Sequence, residues 1–526
     1  MILLLAFVFV ILSEGTGQMF LHLLNLETDD FAAPIGVAVL FGLLEIAYMP
    51  FMVSGGSYSR VALVTILVLL MALVSLLGSL SSCWKSLWRG RTVYVFLSGL
   101  LLMGIFACCY DKLDTSLNAE LAVMSKNLHT DAIKLTANPM QGYPLFGSVI
   151  LSLPHREPYF GPLLLGVFAN MITVMLILDI VDSFRIGNPW FRLTLILASV
   201  FYCQLYSWKI IDASKGENWR IFFTALLLYY FYQWIKTGKD SLKYVTIFAV
   251  SAGLFVSRGF LMIASEIIYC IGAWMLTNKK IRSLYDITAF LLPVVLYLCF
   301  CAMKWNHWIG LLILVIFLLF YLNRHHKRVY HYLIWIESVI MDYSRPLFYA
   351  LIPGIFLGGT FILRFFVKGY GFAYSSYLHY FSSSYLKSYL FMNHSVTDCI
   401  LDVWRWGGLA IFLLRCDREE DRMIRTVFTS MVVFFLNPLC MGLLSRITGY
   451  SMYAYAFEIL LNPFTDVMIF YWIYTQFEWT VLGQWILELT LIGAMLFGHI
   501  TSFMGSTNSL YGNLLDENRI VEVLLP

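Results

Sequence analysis

A chain of 526 residues that is 60% hydrophobic and only 13% charged lies far from soluble globular composition, in which about a quarter of residues are charged. The mean hydropathy of +0.76 excludes a disordered chain as well, because disorder requires low hydrophobicity. With 35 basic against 32 acidic residues the net charge is only +3, which gives no footing for a nucleic-acid partner.

Apolar segments recur along nearly the whole chain, near 1–25, 31–53, 61–81, 92–109, 159–181, 193–207, 220–235, 243–257, 259–277, 286–304, 306–322, 347–367, 401–415, 426–444, 455–475 and 481–502. Each approaches the roughly 20 residues a helix needs to cross a bilayer, which predicts an all-α, polytopic transmembrane helical bundle of about 14–16 spans. The first segment lacks a basic n-region and an Ala-x-Ala-like site, so it reads as a retained helix rather than a cleaved signal. Most of the ten cysteines sit within apolar runs and read as small buried residues, not as a disulfide framework or a metal set. Aromatic residues make up 17% of the chain, which suits membrane interfaces and substrate platforms.

Every second connection is basic. Lys85, Arg89 and Arg91 fall in 82–91, Arg185 and Arg192 in 182–192, Lys236, Lys239 and Lys243 in 236–243, Lys279, Lys280 and Arg282 in 278–285, Arg324, Lys327 and Arg328 in 323–328, and Arg415, Arg418, Arg422 and Arg425 in 415–425. Basic loops mark the cytoplasmic side. The intervening connections, among them 110–158, 208–219, the turn at Arg258 and 368–400, are then expected on the outer face. The chain is divided accordingly into N-terminal transmembrane helices (1–109), a first large outer loop (110–158), central transmembrane helices (159–367), an aromatic outer loop (368–400) and C-terminal transmembrane helices (401–526).

Loops beyond about 12–15 residues are usually functional or disordered, and neither long outer loop has a disordered composition. The first opens with Cys108-Cys109-Tyr110-Asp111-Lys112-Leu113-Asp114-Thr115. In a helix the i, i+3 spacing puts Asp111 and Asp114 on one face. Leu117, Leu121, Met124 and Leu128 then repeat at helical spacing, which predicts an amphipathic helix lying on the outer membrane surface. A turn-rich stretch, Asn138-Pro139-Met140-Gln141-Gly142-Tyr143-Pro144, leads back to the bilayer. An interfacial carboxylate in this setting can take a proton from a hydroxyl while a lipid-linked substrate lies in the bilayer. The same residues also suit a structural role, with Asp114 as the N-cap of the surface helix and Asp111 paired with Lys112.

In the second outer loop, nine Tyr and Phe residues, Tyr377 among them, interleave with serines and with His379 and His394. They form either a sugar-stacking platform or an interfacial aromatic belt. Acidic residues inside apolar runs are costly and functional by default: Glu45, Asp179, Glu266, Glu458, Asp466 and Glu488, with Asp179 and Glu266 expected near cytoplasmic ends. His325 and His326 lack further ligands at metal spacing. No phosphate-cradling glycine loop or serine nucleophile elbow appears.

The acidic stretch Asp111–Asn118 in the first large outer loop, the surface helix after it and the Pro-containing re-entrant segment Asn138–Leu151 resemble the C-type glycosyltransferases. These enzymes use polyprenyl-phosphate-linked sugars, and uncharacterised bacterial multi-pass families related to them share the layout. The resemblance is architectural and covers about 1–300. It implies an inverting transfer at the outer face of a bacterial plasma membrane, from a polyprenyl-phosphate-linked sugar to a cell-envelope glycan acceptor. Asp111 or Asp114 would be the catalytic base. Lys112, Arg258, Lys209 and Lys215 would bind the leaving phosphate, with Tyr143, Tyr377 and His379 near the substrate. No cofactor is implied, metal is optional, and membrane lipids are the remaining partner. The alternatives are a polysaccharide transporter, flippase or polymerase, and a non-enzymatic membrane assembly subunit.

Overall fold

The computed structural model describes residues 2–26, 30–54, 56–88, 92–100, 142–151, 160–201, 216–278, 283–324, 326–367, 406–414, 419–435, 437, 439–440, 442–444, 458–460, 462–477, 482–490 and 492. Among the described residues helix dominates and no strand occurs. The main helices are α1 (Ile2–Leu23), α2 (Ala33–Ser54), α3 (Tyr58–Gly78), α4 (Leu80–Leu87), α5 (Tyr143–Leu151), α6 (Phe160–Ser183), α7 (Pro189–Phe201) and α8 (Gly216–Thr237). They continue with α9 (Leu242–Val256), α10 (Phe260–Thr277), α11 (Ser283–Trp305), α12 (His307–Asn323), α13 (Lys327–Pro346), α14 (Ile352–Phe366), α15 (Glu419–Ser430) and α16 (Pro463–Phe477).

Seven helical stretches among the described residues are long and apolar enough to cross a membrane: Ile2–Leu23, Ala33–Ser54, Tyr58–Gly78, Leu164–Ser183, Phe260–Thr277, Leu284–Lys304 and Lys327–Phe366. At 1.5 Å per residue a 22-residue helix extends roughly 33 Å, enough for a hydrocarbon core of about 30 Å. The chain is therefore an all-α, multi-pass helical bundle. The surface helix expected at 116–128 lies outside the described residues. Described cysteines are free: Cys83, Cys270, Cys299 and Cys440 are buried and Cys301 is half-buried, as small apolar residues would be.

Two compact units are formed, each discontinuous in sequence. One comprises Met1–Leu227, Tyr244–Arg258 and Asp466–Pro526, the other Leu228–Lys243 and Gly259–Thr465.

In the first unit, α1 and α2 pack backbone to backbone. A Cβ on Gly17 would collide with the Ala32 carbonyl, and one on Gly36 with the Ser13 carbonyl. Close approach through small residues replaces the hydrophobic driving force, which lipid removes. The start of α2 is capped from two sides. Glu14 Oε2 accepts from Ala33 N at 2.8 Å, and the Asp179 carboxylate accepts from Phe31 N at 3.1 and 3.0 Å. Negative charge is favourable at a helix N-terminus, whose first N–H groups have no partner within the helix.

In the second unit Lys243, Arg324 and the start of α11 come together. Lys243 Nζ pairs with Asp286 at 2.7 Å and with Asp240 at 3.2 Å. The Arg324 guanidinium lies 4.6 Å from the Tyr285 ring centre and 3.8 Å from that of Tyr321. Glu337 Oε2 accepts from Leu284 N at 3.2 Å, again at the start of a helix.

Two differences from the sequence reading have physical causes. The third span begins earlier and ends at Gly78, where the chain breaks into the short α4. The span read at 347–367 is the second half of one 40-residue helical run, Lys327–Phe366, joined by a π-helical turn at Leu347–Leu351 directly after Pro346. Proline removes one helical hydrogen bond and a π turn absorbs the misfit. A run of that length extends roughly 60 Å, about twice the hydrocarbon thickness, so the polar first half projects past it. Hydropathy alone sees only the apolar half.

Candidate functional site

The middle of α2, the starts of α5 and α8 and the end of α9 converge in the first unit, toward the end that charge sorting assigns to the outer face. Phe41 is the hub of an aromatic cage, with ring centres 5.2 Å from Trp219, 5.2 Å from Phe255, 5.5 Å from Phe146 and 6.3 Å from Tyr143. Tyr48 lies one wall further out, 5.7 Å from Phe255. Chain approach here is possible only because residue 142 is glycine, since a Cβ would run into the Phe255 ring and lie 3.3 Å from Tyr48. Pro144 in the first turn of α5 suits a helix start, where its missing N–H costs nothing.

Polar groups thread this cage. Trp219 Nε1 donates to the Tyr143 hydroxyl at 3.0 Å. Next to Trp219 in the chain, Arg220 is 1% exposed and donates from Nη1 to Ser257 Oγ at 2.9 Å. The Tyr48 hydroxyl bonds to Thr65 Oγ1; Thr65 donates its own proton to Val61 O at 2.8 Å, so Tyr48 is the donor. A buried guanidinium is expensive in a membrane protein and marks a site where charge is used. Its planar donor fork matches the geometry of phosphate oxygens.

Glu45 occupies α2 between Phe41 and Tyr48, at i+4 and i−3, on the same helical face. Both of its oxygens are buried with no hydrogen-bond partner. Glu266 of α10, in the second unit, is alike: 1% exposed, with neither oxygen partnered. It stands near the middle of α10, not at a helix end as expected. The other intramembrane acids divide differently. Asp179 caps α2, and Glu488 accepts from Asn188 Nδ2 at 3.3 Å. Glu458 and Asp466 are buried with partners.

Of the residues expected to form the catalytic and substrate-binding site, Tyr143 and Arg258 are described. Tyr143 is part of the cage. Arg258 is exposed in the turn between α9 and α10, one residue from the Ser257 that Arg220 engages. Asp111, Lys112, Asp114, Lys209, Lys215, Tyr377 and His379 lie outside the described residues. The described chain resumes at Gly142, directly before α5, and at Gly216, the first residue of α8.

Arg220 itself escaped the sequence reading. It stands at the first position of the apolar run 220–235, where an arginine passes for a snorkelling anchor. Its neighbour Trp219 was the available signal. No group of three or more His, Cys, Asp or Glu side chains is placed to hold a metal ion among the described residues. No protein-family model, curated protein or solved structure matches the chain.

Proposed function

We propose that this protein is a membrane glycosyltransferase that moves a sugar from a polyprenyl-phosphate-linked donor to a cell-envelope acceptor at the outer face of a bacterial plasma membrane. The observation that carries this reading is the buried Arg220, bonded to the Ser257 hydroxyl and next in the chain to Trp219 of the aromatic cage.

The reaction joins an acceptor hydroxyl oxygen to the sugar's anomeric carbon as the bond from that carbon to phosphate breaks. The bonding electrons leave with the lipid phosphate. Asp111 or Asp114 takes the hydroxyl proton, and configuration inverts. Arg220 bears the charge that grows on the leaving phosphate, as preorganised donors do, with Arg258 and Lys112, Lys209 and Lys215 as further cations. Tyr143, Tyr377 and His379 contact the sugar.

Membranes containing the wild type, Asp111→Asn or Asp114→Asn are assayed for transfer from a panel of polyprenyl-phosphate sugars. Asn keeps size and removes the base, so one variant loses about 10²–10⁴-fold in rate at unchanged expression. Full transfer by both would reject the assignment.

A second reading, a proton-coupled transporter or flippase for envelope polysaccharide, draws on the two unpartnered intramembrane carboxyls Glu45 and Glu266, since such groups serve proton relays in transporters. Accumulation of lipid-linked glycan on the cytoplasmic side after gene deletion is its distinguishing result.

A further inference from the structure

In the second unit the chain turns tightly between α12 and α13, where His326 N donates to Asn323 O at 2.8 Å. Arg324 is the C-cap of α12 and His326 the N-cap of α13. The Arg324 side chain is drawn inward: the residue is 6% exposed, and its guanidinium lies over the rings of Tyr321 and Tyr285. Contact through ring faces holds the cation and leaves the N–H groups at its edge unspent. Here Nε and Nη1 are both buried with no hydrogen-bond partner.

A cation suits the C-terminus of α12, yet neither of these nitrogens donates to its last carbonyls. The carboxylates around the start of α11, where Tyr285 stands, are committed elsewhere. Asp286 accepts from Lys243 Nζ at 2.7 Å, and Glu337 from Leu284 N at 3.2 Å. A buried donor left without an acceptor carries its full desolvation cost, and a charged one carries most. Arg324 therefore calls for an acceptor from outside the chain.

The start of α13 calls for the same chemistry. The His326 side chain caps none of the first N–H groups of α13, and no acid stands in its first turn, while Lys327 and Arg328 are exposed there. Tyr285 joins the two features, since its ring centre is also 6.3 Å from that of Tyr330 in this turn. Free N–H groups at a helix N-terminus bind anions, and arginine donors match the oxygens of phosphate. Leu322 before the junction and Tyr332 and Trp335 after it are exposed, a pattern that suits the membrane interface, where lipid phosphates lie.

We propose that the α12–α13 junction is a phosphate-binding site, with Arg324 donating from its buried edge and the first N–H groups of α13, Lys327 and Arg328 receiving the remaining oxygens. An anionic phospholipid headgroup and a free phosphate ion present the same acceptors. The site uses no residue of the proposed transfer.

The full-length protein in a neutral detergent is titrated by microscale thermophoresis with dioctanoyl phosphatidylglycerol, with dioctanoylglycerol as its phosphate-free counterpart, and with inorganic phosphate. Saturable binding of phosphatidylglycerol alone assigns the site to a lipid headgroup; saturable binding of inorganic phosphate assigns it to the soluble ion. Arg324→Met weakens the bound probe at least about tenfold, the order of one hydrogen bond to a charged group. Lys327→Gln combined with Arg328→Gln alters only exposed side chains and weakens it several-fold, which keeps the test open should Arg324→Met fail to fold. The proposal is overturned if neither phosphate probe saturates, if dioctanoylglycerol binds as tightly as phosphatidylglycerol while inorganic phosphate does not bind, or if the folded variants bind as the wild type does.

Discussion

The two ends of the first unit treat buried charge in opposite ways. At the basic end, Glu14 and Asp179 spend their oxygens on the backbone N–H groups of Ala33 and Phe31. Both carboxylates complete a helix start, and the neighbouring Gln18 donates to Glu14 at 2.9 Å. At the opposite end, Arg220, next in the chain to the cage residue Trp219, engages a side chain, Ser257, and neither oxygen of Glu45 has a hydrogen-bond partner. The contrast separates carboxylates bonded to backbone from a guanidinium bonded to a side chain. An intramembrane charge signals function only after its backbone obligations have been subtracted.

The sharpest way to break that contrast is to remove one charge from each end. Arg220→Met keeps much of the side chain's length and volume and discards the donors. Transfer from a polyprenyl-phosphate sugar falls about 10²–10³-fold, the usual loss when one donor to developing charge is removed, while the midpoint of thermal unfolding in detergent moves little in comparison. If thermal stability collapses and the residual folded fraction transfers at the wild-type rate, Arg220 belongs with the structural charges.

Asp179→Ala should show the reverse. It removes the carboxylate that accepts from the buried Phe31 N–H, at a cost of about 1.5–3 kcal/mol for a hydrogen bond to a charged group. Stability falls, and specific transfer activity per folded molecule is unchanged. A catalytic defect without a stability defect would move Asp179 to the functional set.

Gly142→Ala tests the approach that builds the cage. The added methyl meets the Phe255 ring, and overpacking typically costs about 1–3 kcal/mol. The expected signature is a modest fall in unfolding midpoint together with a change in tryptophan fluorescence, because Trp219 stacks in the same cluster.

The smallest effect belongs to Glu45→Gln. The carboxyl has no hydrogen-bond partner to lose and Gln is nearly the same size, so stability changes by no more than the ~1 kcal/mol typical of a point substitution. Unfolding midpoints of the two forms at neutral pH provide the check. A loss of several kcal/mol would mean that Glu45 holds the fold.

The helical bundle was legible because hydropathy and charge sorting are strong, local signals. Spans at 31–53, 259–277 and 286–304 coincide with α2, α10 and α11 to within a few residues. The ends of those helices meet as neighbouring connections do, with Lys243 paired to Asp286 and Arg324 against Tyr285. What escaped depends on partners distant in sequence. Nothing near Asp179 announces that it caps a helix starting at residue 33, 146 positions away in the chain. Nothing near Arg220 announces that Ser257 will receive it, and the continuation of α14 back through Pro346 to Lys327 is hidden by its polar first half. Tyr143 was chosen for its place in a turn-rich stretch, and its bond to Trp219 gives that choice a structural setting. Asp111 and Asp114, on which the proposed chemistry turns, stand as sequence expectations.

The central claim is that the outer end of the first unit receives a lipid phosphate through Arg220. Its most direct test is the affinity of a short-chain polyprenyl phosphate for the purified full-length protein, wild type against Arg220→Met, measured by calorimetry in one detergent. The account predicts a single site whose dissociation constant rises at least tenfold in the variant, at an unfolding midpoint close to the wild type's. Equal affinity in the two proteins, each folded, would contradict it.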